Sequence, residues 1–228
     1  MTDHTKGSFF GRRVGKPLRV NRRTQFDAAI ARLNVDLSAP APADLRTLFE
    51  APVGSVWLEI GFGGGEHLLH EAGRLADTGF IGVEPFVNSL AKAVVEVDEQ
   101  GLDNVRVFDD DAIKLLDWLP AGALDGIYQL YPDPWPKRRH WKRRFVNPTN
   151  IDRFARVLKP GAVYRFASDI DTYVDWALAR FAARDDFDWT AEKAADWREP
   201  WQPWSGTRYE EKAFREGRRG HYLEFRRR

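Results

Sequence analysis

Asp133 stands between two prolines in the run Tyr131-Pro132-Asp133-Pro134-Trp135-Pro136, and six cations follow it within residues 137–144. Proline fixes φ and removes a backbone donor, so this acid sits on a stiff, non-helical turn with a restricted direction. The cations suit phosphate, and Trp135 and Trp141 offer flat faces to bases. A rigid acid beside such a grip predicts an active site for chemistry on a nucleobase. The competing reading is a surface turn leading into a basic helix.

A second group of residues concerns a cofactor. The run Glu59-Ile60-Gly61-Phe62-Gly63-Gly64-Gly65-Glu66 has glycines that let a backbone turn sharply and approach a ligand closely. A nicotinamide fingerprint would place glycine where Glu66 stands, and no Gly-Lys-Ser/Thr follows to make a phosphate loop. The pattern acid-x-Gly-x-Gly-x-Gly instead resembles motif I of AdoMet-dependent methyltransferases. Glu84 lies at the distance where a carboxylate takes ribose hydroxyls, and Asp111 is placed to accept from an adenine amino group. For Asp111 a helix cap is an equal reading. An acid-rich rim suits a cofactor bearing a sulfonium and an ammonium, and disfavours a phosphorylated one.

The elements that must hold these residues alternate along the chain. Strand-like runs at 56–60, 79–83, 105–108, 124–130 and 162–167 are separated by helical runs at 66–75, 86–99, 112–119 and 150–158. A further helix spans 171–183 and a last strand 221–225. This is βαβ alternation, predicting an α/β fold with a mostly parallel sheet, helices on both faces and ligands beyond the carboxyl ends of the strands. Before it come short helical stretches at 27–34 and 44–49, joined by a Pro-containing linker at 38–42.

Composition narrows the class. The 228 residues fit one large domain, and the absence of cysteine excludes disulfides, thiolate metal sites and cysteine nucleophiles. No apolar run approaches membrane-spanning length and no signal-peptide pattern opens the chain, so a soluble, cytoplasmic protein is expected. Net charge is only +1, yet residues 4–26 hold seven cations and no acid, and residues 205–228 hold eight cations against four acids. Three basic patches on an acidic body suit a polyanion gripped at a few places. Residues 1–25 read as a basic, mobile RNA-binding arm and residues 26–228 as a single domain.

On these residues the chain resembles the bacterial TrmB family, tRNA (guanine-N7)-methyltransferases. The resemblance rests on Leu58-Glu59-Ile60-Gly61-Phe62-Gly63, Gly82-Val83-Glu84, Pro132-Asp133-Pro134-Trp135, Lys142-Arg143-Arg144, Ser168-Asp169 and Thr207-Arg208-Tyr209-Glu210. Phe10-Gly11-Arg12-Arg13 and Pro17-Leu18-Arg19 resemble that family's basic arm. Ser168 and Arg208-Tyr209 stand where the family often has threonine and Lys-Phe. The resemblance implies a Rossmann-like class I methyltransferase with a seven-stranded sheet. S-adenosyl-L-methionine (AdoMet) would be cofactor, S-adenosyl-L-homocysteine product, and guanine 46 of the tRNA variable loop the target. It implies Glu59, Gly61, Gly63, Gly65, Glu84, Asp111 and Asp133 at the cofactor, with Asp133 also catalytic. Lys137, Asp169, Thr207, Arg208, Tyr209 and Glu210 would bind the target guanosine, and Arg139, Lys142, Arg143 and Arg144 the tRNA phosphates. No metal and no obligatory protein partner are expected, and the protein would be a monomer or homodimer.

The chemistry agrees. Guanine N7 has a lone pair and no proton, so its methylation needs placement more than a base. A fixed carboxylate such as Asp133 would stabilise the cation that develops on the ring, while Asp169 and Glu210 could accept from guanine N1–H and its amine. Trp135 or Tyr209 could stack on the base. Asp169 also reads as a helix N-cap, and Thr207 with Glu210 as a capping box. His67 and His70 read as structural, and Trp197, Trp201 and Trp204 either pack their loop down or frame the base. A methyltransferase of another nucleic acid and a non-catalytic RNA-binding protein are the alternative functions.

Overall fold

The computed structural model describes residues 10–228 and resolves two compact units, one ending at Pro120 and one running from Ala121 to Arg228. Residues 1–9 of the expected arm lie outside the described residues. The first unit contains α1 (Val20–Leu33), β1 (Ser55–Ile60), α2 (Glu66–Arg74), β2 (Thr78–Val83), α3 (Val87–Glu99), β3 (Val105–Phe108) and α4 (Ala112–Trp118). The second contains β4 (Leu124–Leu130), α5 (Pro148–Val157), β5 (Leu158–Ser168), α6 (Asp171–Phe181), β6 (Phe187–Trp189), α7 (Ala195–Arg198), α8 (Arg208–Arg215) and β7 (His221–Arg227). These seven strands and their helices form a Rossmann-like α/β fold with a mostly parallel sheet, as the alternation predicts.

In the first unit the strands lie in the order β3-β2-β1, all parallel. Every residue of β2 and β3 is buried, Thr78 and Arg106 included, as befits parallel strands covered on both faces. Ile60 pairs with Val83, and Val83 with Phe108, so the three strands finish level with one another. Glu59, Glu84 and Asp111 therefore come to the same end of this sheet. Gly82 makes close packing there possible: a Cβ on it would fall 2.6 Å from the Phe62 ring and 2.7 Å from Leu68.

The arm differs from expectation over its described part. Helix α1 starts at Val20, seven residues before the predicted start, because its first turns carry no apolar face and only Phe26, Ala29 and Leu33 are buried. Ahead of it, Arg13 pairs with Asp110 at 2.6 Å, and Gly15 donates its N–H to Asn88 Oδ1 at 2.7 Å. Residues 13–16 are thus docked on the start of α3 and on the turn that follows β3.

In the second unit the order is β4-β5-β7-β6, with β4 and β5 parallel and the other pairs antiparallel. Strand β5 begins at Leu158, so Lys159-Pro160-Gly161 lies within it instead of closing the helix, and its register shifts opposite Leu124 and Gly126. Periodicity gave no sign of three-residue β6 or of α7 and α8, which are short and largely exposed. The core is an aromatic stack in which Tyr164 lies on Phe154 (4.7 Å) and Phe181 on Phe225 (3.9 Å). Such pairs add stabilisation beyond the area they bury.

Gly82→Ala is expected to destabilise the protein by about 1–3 kcal/mol through overpacking against Phe62 and Leu68. Urea unfolding of the variant measures this, and an unchanged midpoint would contradict the packing described.

Candidate active site

The first unit carries the residues expected at the cofactor. Gly61, Gly63 and Gly65 have φ of 74°, 58° and 85°, in the left-handed region where glycine alone is unstrained. At Gly65 a side chain is excluded on space as well, since a Cβ would meet Leu69 and Ala93 within 2.7 Å. Glu84 secures this loop: its Oε2 accepts from Gly63 N at 2.8 Å and its Oε1 from Phe86 N at 2.9 Å. Glu59 is buried and lies 2.7 Å from Nδ1 of equally buried His67. Asp111 accepts from Ile113 N at 3.0 Å, so the helix-cap reading holds for its Oδ1. Three carboxylates around a left-handed glycine loop form a donor-poor, acceptor-rich rim that fits hydroxyl, amino and sulfonium groups and repels phosphate. AdoMet fits this set. Asp110 beside them is held down to about 2; its burial is outweighed by Lys114, Arg13 and the Asp111 N–H.

The second unit supplies the Asp133 turn. It carries two features that sequence reasoning did not foresee: Tyr131 and Trp135, on either side of Pro132-Asp133-Pro134, have φ of 49° and 45°. Non-glycine residues rarely occupy this region; each costs on the order of 1–3 kcal/mol and persists only where the surroundings enforce it. Two side chains enforce it here. The Tyr131 hydroxyl donates to Glu210 Oε1 at 3.0 Å, and Arg144 Nε donates to the Pro134 carbonyl at 2.9 Å. Asp133 itself is exposed at its edge, yet the surrounding protein raises its carboxyl pKa by desolvation. Among the described residues no hydrogen bond or ion pair ends on it.

Arg144 requires a correction. It was expected at the tRNA phosphates, but its side chain is fully buried. Besides Pro134, it donates to the Thr172 carbonyl at 2.6 Å and to Thr172 Oγ1 at 3.1 Å, and its guanidinium lies over Trp141 and Tyr173. A run of cations gives no hint of which member turns inward; the turn takes Arg144 because a planar fork can meet several carbonyls at once. Lys137, Arg139 and Lys142 are exposed, and Arg143 is half-buried over the Trp135 ring at 4.9 Å. These residues belong to a short 3-10 helix, Arg138–Arg143, and not to an α-helix.

The residues expected at the guanosine are also placed. Asp169 does not cap α6, whose N-cap is Ile170; its carboxylate instead takes Arg218 Nε at 2.5 Å. Thr207 caps α8 by accepting from Glu210 N at 3.1 Å, half of the capping box. The Glu210 side chain does something else: it is buried and receives the Tyr131 and Tyr222 hydroxyls and Trp204 Nε1. Arg208 lies over the Tyr209 ring at 4.9 Å, and Tyr209 is exposed. Trp201 and Trp204 pack edge-on against Tyr222, and Trp197 stacks on His221, so the tryptophans pin their loop down.

Comparison with known proteins gives this arrangement a lineage. A family model described as "Putative methyltransferase" matches residues 54–223. The tRNA (guanine-N(7)-)-methyltransferase of Brucella melitensis biotype 1 is 60% identical over 222 residues, covering 97% of this chain and 95% of that one. Its namesake from Mesorhizobium japonicum is 60% identical over 221 residues, with the same two coverages. The chain belongs to the TrmB family. Among solved structures, the 16S rRNA methyltransferase KamB matches with a TM-score of 0.57 at 15% identity, covering 83% of this chain and 96% of that one. At that identity the likeness is one of fold. In this TrmB-family chain the cofactor rim and the Asp133 turn both fall inside the matched region.

Two outcomes follow from the turn. Arg144→Ala should cost roughly 1–3 kcal/mol by orphaning the Pro134 and Thr172 carbonyls, while leaving the salt dependence of tRNA binding unchanged. Denaturant unfolding and a salt titration of binding read these separately. An acid whose pKa is higher folded than unfolded loses stability as pH rises from the unfolded value through the folded one. Asp133→Asn should therefore be more stable than the parent at neutral pH, with the advantage vanishing below about pH 4. Urea melts across that range check it.

Proposed function

We propose that this protein transfers the methyl group of AdoMet to N7 of a guanine in tRNA, at position 46 in the variable loop, releasing S-adenosyl-L-homocysteine. The observation that carries this reading is near-end-to-end identity of 60% to relatives bearing that activity in their names, over a chain that keeps the acidic rim and the Pro-Asp-Pro-Trp turn.

When bound, AdoMet supplies an electrophilic methyl on a sulfonium. Glu59, Glu84 and Asp111 hold the cofactor from the level ends of β1, β2 and β3, with Gly61, Gly63 and Gly65 allowing close backbone approach. Asp133 is likewise assigned to the cofactor and acts in the reaction. Guanine N7 presents an unprotonated lone pair, so Asp133 has no proton to remove; its fixed negative charge stabilises the positive charge that passes onto the ring. A carboxylate destabilised by desolvation in the free protein gains most from that neighbouring cation, which makes its effect larger as charge develops. Lys137, Asp169, Thr207, Arg208 and Tyr209 hold the guanosine, while Glu210, expected there too, is taken up by Tyr131, Tyr222 and Trp204. Asp169 exchanges Arg218 for the base amine or N1–H, a donor pair that adenine lacks.

Arg139, Lys142 and Arg143 take tRNA phosphates, while Arg144 acts from inside. The cations of residues 1–25 form a basic arm that adds to the RNA grip, and residues 26–228 make up the methyltransferase domain. No helix among the described residues is long and apolar enough to cross a membrane. The reaction takes place on soluble tRNA in the cytoplasm.

The deciding experiment incubates unmodified tRNA with labelled AdoMet and maps the product. Label in 7-methylguanine at position 46 is expected, and label in any other base would sink the reading. Asp133→Ala should abolish turnover and leave tRNA affinity nearly intact. Arg139→Ala and Lys142→Ala should each weaken binding and lower its salt slope by roughly 1.

A further inference from the structure

We infer that Tyr131 is a positioning residue for the Asp133 turn and that Glu210 is its anchor, so that the segment holding the guanosine also sets the catalytic carboxylate. This deepens the function proposed above and rests on it. The first observation is backbone geometry. Tyr131 precedes Pro132-Asp133 with a φ of 49°, so the direction in which the chain enters the turn is an unfavourable one that something must hold. With Pro132 locked next in sequence, the orientation of Asp133 follows directly from that of Tyr131.

The second observation is what holds it. The Tyr131 hydroxyl reaches across 79 residues of sequence to Glu210 Oε1 at 3.0 Å, and lies 3.5 Å from the Tyr222 hydroxyl. Tyr222 donates to the same Oε1, and Trp204 Nε1 to Oε2 at 2.8 Å. Burial, followed by the neighbouring Tyr222 and Glu210, raises the Tyr131 pKa far above the ordinary range, so its hydroxyl remains a donor at any working pH. A buried carboxylate needs such donors, and three are supplied. Glu210 is thereby committed to holding the turn.

The third is a space left for the bond. A Cβ on Gly220 would fall 2.5 Å from the Tyr222 hydroxyl and 2.7 Å from that of Tyr131. Bare backbone at this point lets both hydroxyls reach one oxygen. The other partners of Glu210 complete the link, because its own N–H is capped by Thr207 at the first turn of α8. A base settling against Thr207–Glu210 therefore bears on the same carboxylate that fixes Tyr131. Phenylalanine at 131 would keep the ring and lose the anchor.

Steady-state methylation of tRNA by Tyr131→Phe, Glu210→Gln, Glu210→Ala and Asp133→Asn tests this. Tyr131→Phe should lower kcat by about tenfold to a hundredfold through misplacement of Asp133, with the KM for AdoMet little changed. Glu210→Gln should retain more turnover than Glu210→Ala, since its amide oxygen still accepts from tyrosine. The double variant Tyr131→Phe/Glu210→Ala should be no slower than Glu210→Ala alone, because both act through one bond. Wild-type kcat in Tyr131→Phe, or losses that multiply in the double variant, would overturn the inference. If Asp133→Asn is inactive while Tyr131→Phe is fully active, only the positioning role fails; if Asp133→Asn is also active, the catalytic reading of Asp133 fails first. Should Tyr131→Phe not fold, Gly220→Ala carries the same test by displacing the hydroxyl: a fall in kcat at constant AdoMet KM supports the link, and unchanged kcat refutes it.

Discussion

The direction of one carboxylate is the constraint around which the second unit is arranged. Asp133 lies on five residues with almost no conformational freedom: two prolines, and outside them two aromatic residues in the left-handed region. Prolines restrict φ, but they do not choose between the ways a chain can enter and leave a turn. That choice is made by partners distant in sequence, Glu210 on one side and Arg144 on the other. Both are buried charged groups, costly to desolvate and tolerable only when nearly every polar atom is met. The unit therefore spends aromatic hydroxyls, an indole N–H and several carbonyls on them. The Asp133 carboxylate itself receives no hydrogen bond or ion pair among the described residues.

The first unit solves a different problem, bringing three acids to one end of its strands. Strand register does most of this, since β1, β2 and β3 finish level. Each acid is then held in part by a near neighbour: the His67 ring for Glu59, two backbone N–H groups for Glu84, a helix start for Asp111. Backbone donors hold a carboxylate in place while leaving it its negative charge and part of its acceptor capacity. Asp110, next in sequence to Asp111, takes the cations Arg13 and Lys114 instead. An ion-paired acid and a helix-capping one thus sit side by side with separate partners.

Charge in the basic run is divided in the same way. Arg139 and Lys142 face solvent, where they are free to meet a polyanion, while Arg144 is the strut of the turn. Its guanidinium, sandwiched by Trp141 and Tyr173 and hydrogen-bonded to carbonyls, is a packing element as much as a charge. The same six-cation stretch therefore both presents charge to solvent and shapes the Asp133 turn, and composition cannot separate the two uses.

Much of this protein was legible in its residues alone. Alternating apolar runs define the α/β class because a strand buried on both faces and an amphipathic helix leave different periods. Glycines at 61, 63 and 65 and the acids at strand ends mark the cofactor loop, since no other residue type permits that backbone or that charge. The Pro-Asp-Pro-Trp turn announces itself by stiffness. Short or polar elements were not legible: the first turns of α1 and the three residues of β6 carry too little periodicity to register, and of α8 only the start showed, as the Thr207–Glu210 capping box. Nor was the fate of Arg144, the anchoring of Tyr131 or the burial of Glu210, because each depends on a partner many positions away. Local chemistry follows from residue type and spacing, whereas the choice between solvent and a buried partner is made only when distant segments pack.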